Sequence, residues 1–294
     1  MQSLFNYNTL NVSLVKSTRS IWIKLNKPEN NHSINMEMLF ELESLIAWLT
    51  NKVEIQSVFL TSEDTEKNQF SQGYSSTNVK KYSQNQILKL TDKLQKIVQA
   101  FHHLPQTIVI DLKKGASNLG CELATAADIR VAHEDCEIEF DHNKLGLTPS
   151  SSGMSTLALL VGQMHARNFL LSGQKIDLKF LSNSGFVYQS YDDNSKRKVV
   201  QNLLVSIRSQ APVQRIQTKL GVFDLERAKY EQSMKVESQI GKASLMSEDW
   251  KIEKNESTEQ INSDNFMPAK SMSYVTKLTL VDDASEKPAE TPLS

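Results

Sequence analysis

The chain has 294 residues, of which 39% are hydrophobic, and this is enough apolar side chain for a sizeable core in one large domain or two small ones. Its 33 basic and 34 acidic residues give a formal net charge of -1, so the bulk electrostatics favour neither nucleic acid nor an anionic membrane as a partner. No segment approaches the roughly 20 apolar residues of a membrane span, and the N-terminal residues lack the pattern of a signal peptide, so we expect a soluble, cytoplasmic, globular protein.

The first predicted elements are strands followed by a helix and a further strand. Two β-type runs at 10–15 and 20–25, separated by the polar KSTR, suit a hairpin. Apolar residues at helical spacing from 36 to 49 predict a helix, and VEIQSVFL at 53–60 predicts a buried strand. This succession of helix and strand is typical of a layered α/β fold.

A loop rich in small residues, QFSQGYSS at 69–76, comes next. Loops of this kind lie at the carboxyl edge of parallel sheets, where open α/β proteins bind ligands. A long helix follows, with apolar side chains on one stripe between Ile87 and Phe101. We interpret His102 and His103 at its end as partners of the helix dipole rather than as ligands.

The segment KGASNLGCELATAAD, residues 114–128, follows the predicted strand at 108–112 and organises the chain. Its glycines suit a tight turn and a close approach. The helix that begins near Leu119 leaves its first N–H groups unpaired, so they could donate to an oxygen that gains negative charge. Glu122 could transfer protons near neutral pH if it lies in an apolar pocket, or could be an ordinary first-turn residue.

The rest of the chain is less informative. We predict strands at 129–132 and 138–140 and helical segments at 153–161, 167–171, 195–208 and 212–220. Cys121 and Cys136 are the two cysteines, and we expect both thiols to be reduced and packed. Beyond about residue 254 the composition predicts disorder, except for a possible sticky segment at YVTKLTLV.

Five pieces of the sequence resemble the crotonase, or enoyl-CoA hydratase/isomerase, superfamily. They are, in chain order, IKLNKPENNHSINMEML, FSQGYSS, KGASNLGCELATAADIRVA, FDHNKLGLTPSSSG and LLSGQKIDLKFLSNSGFV. The resemblance implies a crotonase-like ββα spiral core over 1–190, a C-terminal helical region over 191–254 that forms a homotrimer or a dimer of trimers, and a disordered polar tail over 255–294.

The resemblance also implies a site for an acyl-CoA thioester, with no metal ion and no cofactor besides the coenzyme A of the substrate. Two backbone N–H groups would form its oxyanion hole, and they match Tyr74 and Leu119. The residues that match the family's substrate-binding loops are Ser71, Gln72, Gly73 and Gly120.

Hydratases of this family use two glutamates, and only the first, Glu122, is present here. The position of the second falls on His142 when counted back from Pro149, and on Lys144 when counted on from Phe140, because the loop is about two residues short. We predict Glu122 and His142 as the catalytic pair; the alternative is that His142 and Lys144 are polar loop residues with no chemical role. A protonated Lys144 could not act as a base.

Several residues depart from the family pattern. Leu119 stands where glycine is usual, Ser75 replaces an aspartate, Asp111 lies in a strand that is usually apolar, and PSSSG replaces PGAGG. Two hypotheses therefore remain. The chain is an enoyl-CoA hydratase-like enzyme that stabilises a thioester enolate, or it is a catalytically inactive binding or assembly protein with the same fold.

Overall fold

The computed structural model describes residues 5–75 and 79–251 of the chain. Within these ranges strands alternate with helices, which is the predicted α/β class. The strands are β1 (Leu10–Val15), β2 (Ser20–Leu25), β3 (Ser57–Ser62), β4 (Thr107–Asp111), β5 (Gly115–Ser117), β6 (Ile129–His133), β7 (Glu137–Glu139), β8 (Ile176–Asp177) and β9 (Gln189–Tyr191). The helices are α1 (Met36–Leu49), α2 (Gln84–His103), α3 (Leu119–Ala124), α4 (Ser155–Leu171), α5 (Leu178–Asn183), α6 (Lys196–Ser209), α7 (Pro212–Leu225) and α8 (Arg227–Ser244).

The main sheet has the strand order β1-β2-β3-β4-β6-β9. Strands β1 and β2 form the predicted antiparallel hairpin, and the remaining neighbours pair in parallel. Every residue of β3 and β4 is buried, as expected for parallel strands that are covered on both faces. Alternate side chains serve two cores: Leu60 belongs to the core that contains α1 and α2, whereas Phe59 packs with Leu204 of α6.

A smaller sheet of order β5-β7-β8 lies beside the main one and carries the loop that leads into α3. Gly115, which we expected in a tight turn, instead begins β5. A Cβ atom there would lie 2.2 Å from the carbonyl oxygen of Glu137, so the glycine is needed for close pairing of β5 with β7 rather than for a turn.

Two predicted element boundaries were wrong. The strand expected at 53–60 begins only at Ser57 and extends to Ser62. The helix that begins at Leu119 ends at Ala124, before the end of the apolar run at Ala127, and the following amides donate to carbonyl oxygens three residues earlier, as in turns. The two predicted helical pieces are separated by a break inside the α4 range at Gly162, whose φ of 76° and ψ of 159° are not helical; the second piece begins directly after this glycine.

Both cysteines are free and buried, which confirms the prediction that they are packed thiols. Within the described ranges, no helix combines the length and the apolar character that a bilayer crossing would need. The predicted polar tail and its segment YVTKLTLV lie outside the described residues.

Candidate active site

Two loops bring the amide groups of Tyr74 and Leu119 together, as the resemblance implied. The loop after β3 runs beside β5, where Phe70 N donates to the carbonyl oxygen of Gly115 at 2.7 Å. Gly73 lies at the closest point and has φ 72°, and a Cβ atom there would be 1.9 Å from the side-chain oxygen of Asn118. Glycine is therefore required at this position both for its backbone angles and for space.

The two amides converge on a single oxygen, and that oxygen belongs to the protein itself. Asn118 Oδ1 lies 2.5 Å from the amide nitrogen of Tyr74 and 2.8 Å from the amide nitrogen of Leu119. The other end of the same side chain, Nδ2, donates to Asp141 Oδ1 at 3.0 Å. The amides of Tyr74 and Leu119 thus face one point, and a side-chain oxygen of the protein occupies that point; their role as an oxyanion hole stays a prediction.

The Asn118 backbone has an unusual conformation, with φ 35° and ψ -112°. Asparagine tolerates positive φ better than most residues because its short side chain bonds to neighbouring backbone groups. Here it bonds to the N–H of the very next residue, Leu119. The sequence signal for this was the Asn118-Leu119 pair at a position where the family has two glycines.

The predicted substrate-binding residues make contacts within the protein. The Ser71 hydroxyl donates to the carbonyl oxygen of His32 at 2.7 Å and accepts from the amide of Gly73 at 3.0 Å. Gln72 is half-buried. Gly120 approaches the same loop closely, since a Cβ atom on it would lie 2.6 Å from Ser71 O. The close contacts at Gly73 and Gly120 set the spacing of the two loops.

Glu122 lies on α3 next to this pair of amides, with its side chain fully buried. Its Oε2 accepts from the amides of Ser151 and Gly153 at 2.7 and 2.8 Å. Its Oε1 lies 2.7 Å from His142 Nε2. Burial together with a convergent set of donors describes an oriented carboxylate, and not an exposed first-turn residue.

His142 is presented to Glu122 by the 3-10 segment Asp141–Leu145. We place a proton on His142 Nε2, the ring nitrogen that faces the Glu122 side chain, so that this nitrogen donates to Oε1. Among the described residues, Nδ1 is buried and has no partner. Lys144, the alternative that the sequence left open, directs its ammonium to Glu139 instead.

Tyr74 also contributes its side chain to the site. The ring is buried and stands edge-on to the His142 imidazole, with 6.4 Å between the ring centroids. Burial, and then the Glu122 carboxylate, raise the pKa of the Tyr74 phenol well above its ordinary value. The phenol is therefore neutral at physiological pH.

Sequence reasoning missed a second buried carboxylate, Glu237 of α8. Its oxygens accept from the amides of Ser152, Met154 and Ser155, each at 3.0 Å. Burial, and then the neighbouring Glu122 carboxylate, raise the pKa of Glu237 to about 7. Two carboxylates thus hold successive amides of the loop before α4.

A signal for Glu237 was present but weak. It lies on the buried stripe of α8, which the sequence fills with Tyr230, Met234, Glu237 and Gly241. A glutamate on an otherwise apolar stripe indicates a buried polar contact. Nothing in the spacing could indicate that its partner is the loop before α4. Within the described residues, no group of three or more His, Cys, Asp and Glu side chains is placed to hold a metal ion.

The chain is similar to several proteins that act on coenzyme A thioesters. A short-chain-enoyl-CoA hydratase from Clostridium acetobutylicum is 24% identical over 203 residues, which cover 69% of this chain and 77% of the hydratase. An ethylmalonyl-CoA decarboxylase from Mus musculus is 28% identical over 206 residues, covering 68% of this chain and 63% of the decarboxylase.

The fold is shared with solved enoyl-CoA hydratases. The structure of an enoyl-CoA hydratase from Bacillus halodurans superposes with a TM-score of 0.74 at 16% identity, covering 92% of this chain and 100% of the other. The sequence model of one family, described as enoyl-CoA hydratase/isomerase, matches residues 17–252. Because this match spans most of the chain and agrees with the fold, the protein belongs to the enoyl-CoA hydratase/isomerase family.

Proposed function

We propose that the protein binds an acyl-CoA thioester and stabilises its enolate, most directly in the hydration of an enoyl-CoA. The observation that carries this proposal is the convergence of the Tyr74 and Leu119 amides, at 2.5 and 2.8 Å, on one carbonyl-type oxygen. The Asn118 amide oxygen stands in for a thioester carbonyl oxygen, which has the same acceptor geometry. Productive binding requires the Asn118 side chain to rotate away.

The oxyanion that forms in the reaction would then accept both N–H bonds. One well-aimed donor of this kind stabilises a transition state by about 3–4 kcal/mol. The two loops that carry the donors pair through backbone hydrogen bonds, from Phe70 N to Gly115 O at 2.7 Å and from Ser117 N to Ser71 O at 3.0 Å, so the donors are positioned before charge develops. Both N–H groups are already turned toward the oxygen in the absence of substrate.

The Glu122–His142 pair supports the proton transfers. Glu122 orients the imidazole through the 2.7 Å contact at Nε2, which leaves Nδ1 as the basic atom. His142 Nδ1 takes a proton from water as the water oxygen bonds to the β-carbon, and the π electrons move onto the thioester oxygen. The same proton then returns to the α-carbon, and the carbonyl re-forms. This assigns Glu122 a positioning role and His142 the acid–base role.

The relatives agree with the substrate class. The hydratase and the decarboxylase differ in reaction, but both names specify a coenzyme A thioester. We therefore infer the thioester from two relatives and from the donor pair, and the hydration step from the Glu122–His142 geometry. The proposal needs no cofactor besides the coenzyme A of the substrate.

One observation favours a second candidate function. Asn118 fills the space between the two donors. The chain could therefore be a binding or assembly protein that has this fold but catalyses no reaction. The two candidates differ in what the substitution Asn118→Gly does: it should raise turnover of an enzyme and leave an inactive protein inactive.

The test is a panel of enoyl-CoA thioesters, beginning with crotonyl-CoA. We expect the absorbance of the enoyl thioester to fall when the wild-type protein hydrates it. His142→Gln and Glu122→Gln should lose most of this hydratase activity. If neither the wild type nor Asn118→Gly hydrates any member of the panel, the hydratase proposal is wrong. Binding of a saturated acyl-CoA by calorimetry would still distinguish a thioester-binding protein from one that binds none. We also expect a homotrimer or a dimer of trimers, which sedimentation velocity tests.

A further inference from the structure

The backbone of the 150–155 segment, which leads into α4, is held by two buried carboxylates in alternation. The amides that donate to Glu122 belong to Ser151 and Gly153, and those that donate to Glu237 belong to Ser152, Met154 and Ser155. Because the two sets alternate along one short stretch of chain, the segment cannot shift against one carboxylate without shifting against the other.

Ser152 has a strained backbone at the centre of this segment. Its φ is 147°, a value that residues other than glycine rarely adopt, and the residue is fully buried. Its amide donates to Glu237 Oε1 at 3.0 Å, and its hydroxyl donates to the backbone carbonyl oxygen of Glu122 at 3.1 Å. Strain of this kind persists only where the surrounding contacts fix it, and it occurs most often at functional sites.

The chain from α8 to Trp250 packs against the same part of the candidate active site. A Cβ atom on Gly241 would lie 2.5 Å from the Cβ atom of Ser150, and one on Gly146 would lie 2.5 Å from the amide nitrogen of Trp250. Gly146 directly follows the 3-10 segment that carries His142. The C-terminal part of the described chain therefore contacts both the segment that holds Glu122 and the segment that presents its partner.

The surroundings of Glu237 contain no competing partner among the described residues. Its oxygens accept from the three amides and from the Ser155 hydroxyl, and it forms no ion pair with a described cation. Burial raises the pKa of the Tyr230 phenol, so this neighbour on α8 is neutral. The charged group that acts on Glu237 is the Glu122 carboxylate. Glu237 thus acts on the site and on nothing else.

We propose that Glu237 is a positioning residue of the candidate active site, which holds the 150–155 segment so that the amides of Ser151 and Gly153 orient Glu122 toward His142. Without Glu237 the other amides of the segment lose a buried acceptor, which is costly, and the segment relaxes away from Glu122. The consequence for turnover rests on the proposed function, whereas the contact itself does not.

The kinetic test is turnover of crotonyl-CoA. Glu237→Ala should lower kcat by about tenfold or more, because small misplacements of a catalytic group are costly. KM should stay within about twofold, since the amides of Tyr74 and Leu119 lie on other loops. Glu237→Gln keeps an acceptor oxygen and should recover part of the loss. In a Glu122→Gln background, Glu237→Ala should change kcat by less than about twofold, because coupled residues are not additive.

A spectroscopic test does not depend on turnover. Labelling with ¹³C-carbonyl serine and ¹⁵N-glycine selects the amide signals of glycines that follow serine, which are Gly153, Gly173 and Gly185. The last two are exposed and serve as references. Burial, and then the Glu122 carboxylate, raise the pKa of Glu237 to about 7. The Gly153 signal, whose N–H donates to Glu122, should therefore shift with pH near this value in the wild type and stay in place in Glu237→Gln.

A second variant covers the case in which Glu237→Ala fails to fold. Gly241→Ala pushes α8 away from Ser150 while the Glu237 carboxylate is kept, and it should also lower kcat. Glu231→Gln, at an exposed position of the same helix, should keep the kcat of the wild type.

Three results would overturn the proposal. They are a wild-type kcat in both Glu237→Ala and Gly241→Ala, an equal loss of kcat from Glu237→Ala with and without Glu122, and a Gly153 signal that does not shift or that shifts equally in Glu237→Gln. If the wild type does not hydrate crotonyl-CoA, the proposed function fails, and the Gly153 signal alone decides whether Glu237 positions Glu122.

Discussion

Asn118 Oδ1 lies 2.5 Å from the amide nitrogen of Tyr74 and so occupies the position that a substrate carbonyl oxygen would need. The other end of the side chain donates from Nδ2 to Asp141 Oδ1 at 3.0 Å. Rotation of the side chain therefore breaks three hydrogen bonds of about 1 kcal/mol each, but a thioester oxygen in the same place re-forms two of them with the same amides. The remaining cost is about one hydrogen bond, so a thioester held by other contacts could displace the side chain.

We therefore predict that Asn118→Gly increases affinity for a saturated acyl-CoA by about tenfold, because the ligand no longer has to displace a side chain that is held by three hydrogen bonds. Glycine also accepts the unusual backbone angles without strain. Calorimetric titration with butyryl-CoA measures the change, and free coenzyme A shows how much of the affinity depends on the acyl group.

A matched control for Asn118→Gly is Asn68→Gly. Asn68 also has a positive φ of 45°, but it contacts neither Tyr74 N nor Leu119 N. This control should leave butyryl-CoA affinity within about twofold of the wild type, because glycine also adopts the positive φ at residue 68 and the Asn68 side chain does not bond to the amide pair. Unchanged affinity in Asn118→Gly would mean that the Asn118 side chain does not compete with the thioester.

The His142 imidazole yields a second prediction. His142→Gln removes the basic Nδ1 and should lower turnover of crotonyl-CoA by about 10²–10⁴-fold, the usual contribution of a positioned acid–base group. Affinity for butyryl-CoA should stay close to that of the wild type, since the amide donors are intact. Stopped-flow or steady-state absorbance measures the turnover of crotonyl-CoA, and calorimetry measures the affinity for butyryl-CoA.

The comparison for His142→Gln is His103→Gln, the same change at an exposed histidine at the end of α2. We expect His103→Gln to turn over crotonyl-CoA as fast as the wild type. If His142→Gln retains wild-type turnover while Glu122→Gln loses it, the proton passes directly through Glu122 and our assignment of roles is wrong.

The sequence predicted the parts of the site that depend on motif spacing. Counting back from Pro149 placed His142 opposite Glu122, and the structure brings these two side chains to 2.7 Å. The convergence of the Tyr74 and Leu119 amides also followed from loops in a known order. The catalytic roles of Glu122, His142 and the two amides stay predictions.

What the sequence did not reveal depends on side-chain conformation and on long-range packing. The rotamer of Asn118 is set by two amides, one of them on a separate loop, and no spacing rule specifies it. Glu237 reaches the site from α8, far along the chain, because its helix packs on α4. Helix α3 ends at Ala124 although the apolar pattern continues. Arg130, whose Nε donates to the distant carbonyl oxygen of Phe186, also donates to Ala127 O just beyond the helix, and such packing overrides local propensity.

The raised pKa of Glu237 makes stability depend on pH. The folded-state value of about 7 exceeds the ordinary value of 4.5, so the native state binds this proton more tightly than the unfolded chain does. The contribution to the free energy of unfolding is therefore full below pH 4.5 and is lost as pH rises toward about 7. The expected loss is about 3 kcal/mol, since the two pKa values differ by about 2.5 and one pKa unit corresponds to about 1.4 kcal/mol.

Urea denaturation between pH 5 and pH 8 checks this expectation. Glu237→Gln removes the titrating group, so its free energy of unfolding should change less with pH between pH 5 and pH 8 than that of the wild type. Glu231→Gln changes an exposed glutamate of the same helix and should leave the slope unchanged. If the free energy of unfolding of Glu237→Gln varies with pH as steeply as that of the wild type, the pH dependence comes from another group.

Asp111, unusual in the sequence because its strand is otherwise apolar, is fully buried at the end of β4. Its carboxylate accepts from the Tyr191 hydroxyl at 2.6 Å, from Thr61 Oγ1 at 3.0 Å and from the amide of Lys113 at 3.0 Å. The Lys196 ammonium lies 3.0 Å away but its side chain is 37% exposed. Solvent screens this ion pair, so we attribute most of the stabilisation to the three hydrogen bonds.

We predict that Asp111→Asn lowers the free energy of unfolding by about 2–4 kcal/mol, because an amide must turn a donor toward groups that already donate, and hydrogen bonds to a charged group contribute about 1.5–3 kcal/mol. Asp224→Asn, the same change at an exposed aspartate that pairs with Arg227, should cost less than about 1 kcal/mol. Urea denaturation of the three proteins measures both values. Equal losses would mean that the Asp111 network is no more stabilising than a surface pair, and that burial of this carboxylate costs about as much as its hydrogen bonds return.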